Sequence, residues 1–155
     1  MRGYILAGGR SSRFGSDKAL YLVAGEALIV RTARVLAEAG LVPIVVARHA
    51  RNLGLVEMIE PGDDDDRHPL WGVALALSLG EDAFITPVDL PELSAGHVRA
   101  LIRARAVAVG QPLLGWFPAA LADRARTFTT AGRSVRAFVE DLPMLDLGPI
   151  LNLNR

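Results

Sequence analysis

Hydrophobic and polar positions along this chain change period in regular alternation. Residues 4–7, 42–47, 56–59 and 83–86 are short apolar runs, several of them β-branched, and each is bounded by glycine, proline or charge. Such runs read as buried strands. Between them the apolar positions fall at helical spacing. Leu28, Val35, Leu36 and Ala39 line one face of a helix over 27–39, which Gly40 stops. Pro69 opens a helix that runs to Leu79 and is closed by Gly80. Ser94 is the N-cap of a helix that turns Val98, Leu101 and Ile102 inward. Residues 21–24 with Gly25 form a short extended piece and a turn, and 107–109 and 113–117 read as two further strands. Helices are expected over 118–127 and 132–142, then extended chain at 144–147 and 150–153. Trp71, Trp116 and Phe117 are scattered and read as packing.

Strands alternating with helices imply right-handed βαβ units. The expected fold is a three-layer α/β/α sandwich around a mostly parallel, Rossmann-like sheet, and 155 residues suit a single domain. In such folds ligands bind beyond the carboxyl ends of the strands, where the strand order reverses. The segments that directly follow the first, third and fourth strands should therefore share one edge.

Those segments carry the chemistry. After the first strand, Leu6-Ala7-Gly8-Gly9-Arg10-Ser11-Ser12-Arg13-Phe14-Gly15-Ser16-Asp17-Lys18 brings glycines, which let backbone N–H groups approach an anion, together with three cations. The chain contains sixteen arginines and one lysine, and that lysine is Lys18, so a compact ammonium is kept where arginine is otherwise used. Arg10, Arg13 and Lys18 supply countercharge for a polyphosphate. The dinucleotide fingerprint is absent. The Walker spacing fails too, because Gly9 and Gly15 are six apart and two residues separate Gly15 from Lys18.

After the fourth strand, Pro87-Val88-Asp89-Leu90-Pro91 holds one carboxylate between two prolines. A pre-organised oxygen ligand there suits Mg²⁺, which takes one or two carboxylates plus substrate phosphates. The plain alternative is a helix-leading turn. After the third strand, Asp63 to Asp66 are by default a solvated loop, and His68 beside Pro69 reads as structural. Asn152 and Asn154 alternate, so both amides face one side of an extended tail. Arg133 and Arg136 lie one helical step apart and suit either an acceptor phosphate or solvent.

Composition narrows the classes further. Seventeen basic and seventeen acidic side chains cancel, which argues against a sequence-independent nucleic-acid binder. Without cysteine there is neither a disulfide framework nor a thiolate metal site. No stretch approaches the roughly 20 apolar residues of a membrane span, and the first apolar run stops at Ala7, too early for a signal peptide. The expectation is a cytoplasmic protein with neither nucleic acid nor membrane as partner.

The glycine segment LAGGRSSRFGSDK matches LAGGxSxRxGxDK at every defined position, and Pro87-Val-Asp-Leu-Pro91 matches PxDxP. On these boxes the chain resembles the nucleotidyltransferase family that includes the MobA-type molybdenum cofactor guanylyltransferases, with weaker likeness extending to Asn154. The resemblance implies transfer of GMP from GTP to molybdopterin, with release of pyrophosphate. It implies Arg13, Lys18 and Asp89 as catalytic residues, with Mg²⁺ on Asp89. Leu6, Ala7, Gly8 and Gly9 would line the nucleotide with Lys18 and Asp89. An aspartate ahead of the His68-Pro-Leu-Trp-Gly72 turn would hold the guanosine; Asp63, nearest the strand end, is assigned, with Asp64 to Asp66 left open. Asn152 and Asn154 correspond to an N-x-N motif near the acceptor. Transient contact with other cofactor-biosynthesis proteins or apo-molybdoenzymes is also implied. The chain departs from the family pattern at His68, which replaces glycine, and at Ala47-Arg48, where relatives carry asparagine. These departures keep two alternatives open: a cytidylyl- or sugar-nucleotide transferase of the same fold, and a nucleotide-binding regulator without turnover.

Overall fold

The computed structural model describes residues 1–7, 18–60 and 68–150, with Lys18 described in its backbone alone. Its frame is a seven-stranded sheet of order β5-β4-β1-β6-β8-β7-β9. β1 (Arg2–Leu6), β4 (Val42–Ala47), β5 (Val56–Ile59) and β6 (Ala83–Pro87) form its parallel half. β7 (Val107–Ala108) and β8 (Gln111–Phe117) pair antiparallel, β8 runs antiparallel to β6, and β9 (Met144–Leu145) lies parallel to β7. Four of six pairings are parallel, as the βα alternation requires. β8 breaks the rule because only two residues, Val109 and Gly110, separate it from β7, and Gly110 takes a positive φ of 80°. So short a connection can only make a hairpin.

The central strands are apolar on both faces because each face is covered. Ile5, Val45 and Phe84 pack with Leu28, Ile29 and Leu36 of α1 (Leu28–Glu38) and with Val98 and Leu101 of α3 (Ala95–Ala104). Their neighbours Tyr4, Ile44, Val46 and Ile85 point the other way, onto α2 (Leu70–Leu77), α4 (Ala122–Ala131) and α5 (Val135–Val139). Period-two alternation thus builds two cores on one sheet, and three layers result. Among the described residues no helix is long and apolar enough to cross a membrane.

Local chemistry sets the element ends. Ala24 (φ 52°) and Gly25 (φ 82°) make the tight turn of the hairpin between β2 (Leu22–Val23) and β3 (Glu26–Ala27). Ser94 caps α3 as expected, and His97 completes a reciprocal box: Ser94 Oγ accepts from the His97 N–H at 3.2 Å, and His97 Nδ1 accepts from the Ser94 N–H at 3.1 Å.

The last two helices differ from the sequence expectation. A 3₁₀ turn, Ala119–Leu121, precedes α4, which then continues to Ala131. Gly132 ends it in the left-handed region at φ 65°, and the Ser134 side chain starts α5 afresh by accepting from the Ala137 N–H. Residues 132–134 are consequently a linker, not helix, and Arg133 and Arg136 do not share a helical face. Phe117 is fully buried as expected, whereas Trp71 is 42% exposed and does not act as core packing. The Arg105 guanidinium lies 5.5 Å from the centre of the Trp116 ring.

Candidate active site

The order of the strands reverses at β1. The chain passes from β1 to β4 and β5 on one side, then returns to β6 on the other. β1 and β6 stay in register to their carboxyl ends, where Leu6 pairs with Pro87. The glycine segment therefore leaves β1 beside the point where the Pro87–Pro91 turn leaves β6. This is the crevice at which open α/β sheets bind their ligands.

Asp89 stands two residues past that last pair and is only 4% exposed. A buried carboxylate is costly unless something compensates it, which makes Asp89 a candidate site residue. Its turn is held on three sides. Val88, Leu90 and Leu93 sink into the core under α1 and α3. The Leu93 N–H bonds the Leu90 carbonyl at 3.1 Å. Arg31 of α1 donates from Nε to the Pro91 carbonyl at 2.9 Å. The carboxylate is a hard oxygen donor, and its chemistry fits Mg²⁺.

Leu6 and Ala7 lie where the sequence puts them, at the mouth of the glycine segment. The Ala7 N–H is held by the Val46 carbonyl at 2.8 Å, and its carbonyl accepts from Arg51 Nη2 at 3.1 Å. The Lys18 backbone opens a short 3₁₀ turn, Lys18–Leu20, whose Ala19 is buried in the core under α1. Gly8, Gly9, Arg10, Arg13, Asp63 to Asp66, Asn152 and Asn154 lie outside the described residues.

Glu60 and Arg51 are site-edge residues that sequence reasoning missed. Glu60 follows β5 and is 8% exposed; its N–H bonds the Ala47 carbonyl at 2.7 Å. A methyl group on Gly72 would meet Leu6 Cδ2 at 2.9 Å and Glu60 Oε1 at 3.3 Å, so Leu6, Glu60 and the first turn of α2 crowd one spot. The available signal was a carboxylate placed directly after an apolar run. His68 has the structural role expected of it. Its Nδ1 accepts from the Leu70 N–H at 3.1 Å and its Nε2 lies 2.7 Å from the Arg133 carbonyl, which fixes the tautomer with hydrogen on Nε2. The Arg133 guanidinium stacks 4.2 Å from the centre of the Phe128 ring.

Comparison with known proteins agrees with this geometry. Residues 3–145 match the family model described as the MobA-like NTP transferase domain. A "Probable molybdenum cofactor guanylyltransferase" of Opitutus terrae is 35% identical, over 92% of this chain and 79% of its own length. A "Molybdenum cofactor guanylyltransferase" of Xanthomonas euvesicatoria is 36% identical over 64% of this chain, a match that spans about half (52%) of that relative. The crystal structure of molybdopterin-guanine dinucleotide biosynthesis protein A from Archaeoglobus fulgidus superposes with a TM-score of 0.71, over 94% of this chain and 82% of that one; at 17% identity it speaks for the fold. With its α/β sheet, its strand-order reversal and a family match over nearly its whole length, the chain belongs to the MobA-like NTP transferase family.

Proposed function

We propose that this chain transfers GMP from GTP to the terminal phosphate of molybdopterin and releases pyrophosphate. An oxygen of the acceptor phosphate forms a bond to the α-phosphorus of GTP. The bond from that phosphorus to the α–β bridging oxygen breaks, and pyrophosphate leaves with the electron pair. The attacking phosphate is already ionised, so the protein has no proton to remove. Its work is positioning and charge neutralisation.

The observation that carries this reading is the Leu6–Pro87 pair, which starts the glycine segment and the Asp89 turn from adjacent strand ends. In the proposed site the backbone of Leu6, Ala7, Gly8 and Gly9 lines the nucleotide. Lys18 and Arg13 hold its phosphates, and Asp63 holds the guanosine. Asp89 holds Mg²⁺, which when bound offsets charge on the departing pyrophosphate. Asn152 and Asn154 border the acceptor. The relatives' names support guanine as the base and molybdopterin as the acceptor.

The test is a thermal-shift panel of GTP, CTP, ATP and UTP with Mg²⁺, followed by pyrophosphate release on adding molybdopterin. GTP should give the largest shift, and pyrophosphate should appear only with both substrates. A larger shift with CTP moves the chain to cytidylyl transfer. Binding without release under any acceptor makes it a regulator.

A further inference from the structure

Arg51 has no part in the transfer chemistry just described, yet it joins three elements of the nucleotide edge. The connection from β4 to β5 turns back through two left-handed residues, Asn52 (φ 55°) and Gly54 (φ 78°), and Leu55 packs against the core. Glu57 of β5 braces this turn from below: its two carboxylate oxygens accept the main-chain N–H of Arg51 at 3.0 and 3.2 Å. From that fixed origin the side chain reaches across forty-four residues of sequence to the Ala7 carbonyl, 3.1 Å from Nη2. The Ala7 N–H is already committed to Val46. Both polar groups of the last residue before the glycine segment are therefore held, one by the sheet and one by Arg51.

We propose that Arg51 is a positioning residue for the nucleoside triphosphate: by fixing the Ala7 carbonyl it holds the end of β1 from which the glycine segment leaves, and with it the edge at which the nucleotide binds. The inference rests on the nucleotide-binding reading given above. A guanidinium suits the task because its flat, multiply donating head keeps one orientation, which an ammonium does not.

The test compares Arg51→Met and Arg51→Lys with wild type, and with Arg34→Met as a control for loss of an α1 surface arginine. Dissociation constants are measured for GTP, CTP, ATP and UTP with Mg²⁺, together with KM and kcat. Arg51→Met should weaken the nucleotide that wild type prefers by about 10- to 100-fold, the scale of one lost charge-assisted hydrogen bond. Its kcat at saturating nucleotide should change much less than KM. Arg51→Lys should fall between, and Arg34→Met should match wild type. Nucleotide affinity within twofold of wild type in Arg51→Met overturns the assignment. If that variant does not fold, wild-type affinity in Arg51→Lys overturns it instead. A wild-type preference for a base other than guanine removes the guanylyl reading but leaves Arg51 to be judged on the preferred nucleotide. Failure of wild type to bind any of the four removes both.

Discussion

The Nε of Arg31 donates to the carbonyl oxygen of Pro91 across 2.9 Å, which ties the first turn of α1 to the turn that carries Asp89. α1 itself follows the β2–β3 hairpin and the Lys18–Leu20 turn. One hydrogen bond therefore couples the segment that bears the lysine to the segment that bears the carboxylate. Arg31→Met should remove about 1 kcal/mol of stability, as expected for one such bond. Turnover should drop further, by about 10- to 100-fold, because small displacements of aligned groups cost rate heavily. Urea unfolding and steady-state kinetics on the same preparation separate the two effects.

Asp89→Asn keeps the shape of a side chain that is 4% exposed and removes its charge. Transfer should fall by about 1,000-fold or more if the carboxylate holds the metal at the departing pyrophosphate. The fold should stay intact, which a single cooperative melting transition shows. Lys18→Ala should likewise abolish transfer with the fold intact. Calorimetry and pyrophosphate release on the two variants provide the check, and full activity in either contradicts the mechanism.

Much of this arrangement was readable from the chain, and the reasons are local. The run 42–47 is β-branched and bounded, so only a buried strand suits it. Ser94 stands directly ahead of an apolar helical period, so it caps. The Pro87–Pro91 turn follows a strand immediately, and topology alone then brings it to the glycine segment. What was unreadable depends on contacts distant in sequence or on competition between neighbours. The Arg51 reach to Ala7 leaves no periodic trace. Residues 132–142 have helical composition, but Gly132 and Ser134 terminate and restart the helix within three residues. The reversal of β8, by contrast, is implicit in the short gap between the runs 107–109 and 113–117, which leaves room only for a hairpin.

Gly115 lies in β8 where that strand crosses β7 with a shift in register. A methyl group there would sit 2.5 Å from Val107 Cα and 2.6 Å from the Ala106 carbonyl oxygen, both backbone atoms that cannot turn aside. Gly115→Ala should destabilise the protein by about 3 kcal/mol, at or above the usual range for overpacking. Chemical denaturation measures this, and a loss below about 1 kcal/mol would mean that the two strands can part at little cost.

Arg34 pairs on the surface with Glu26 at 3.1 Å and Glu38 at 2.8 Å. The hydrogen bond from Arg34 is the main cause that holds the Glu26 carboxyl below its ordinary range. A carboxyl lowered by folding contributes stability that is complete above its unfolded value and is lost as pH falls through the folded one. The stability difference between wild type and Arg34→Met should therefore be widest at neutral pH and close below about pH 4. Urea titrations at a series of pH values, at constant ionic strength, test the sign.

The unbroken ladder between β1 and β6 also acts as a ruler. Deleting one residue from β6 would draw Asp89 back along the strand axis by about 3.3 Å and send every following side chain to the opposite layer. No adjustment of rotamers could undo both changes at once. Variation in chain length within this lineage should therefore be tolerated in the connections and forbidden in the strand, for the distance from Phe84 to the acid is a dimension of the machine, not a spacer within it.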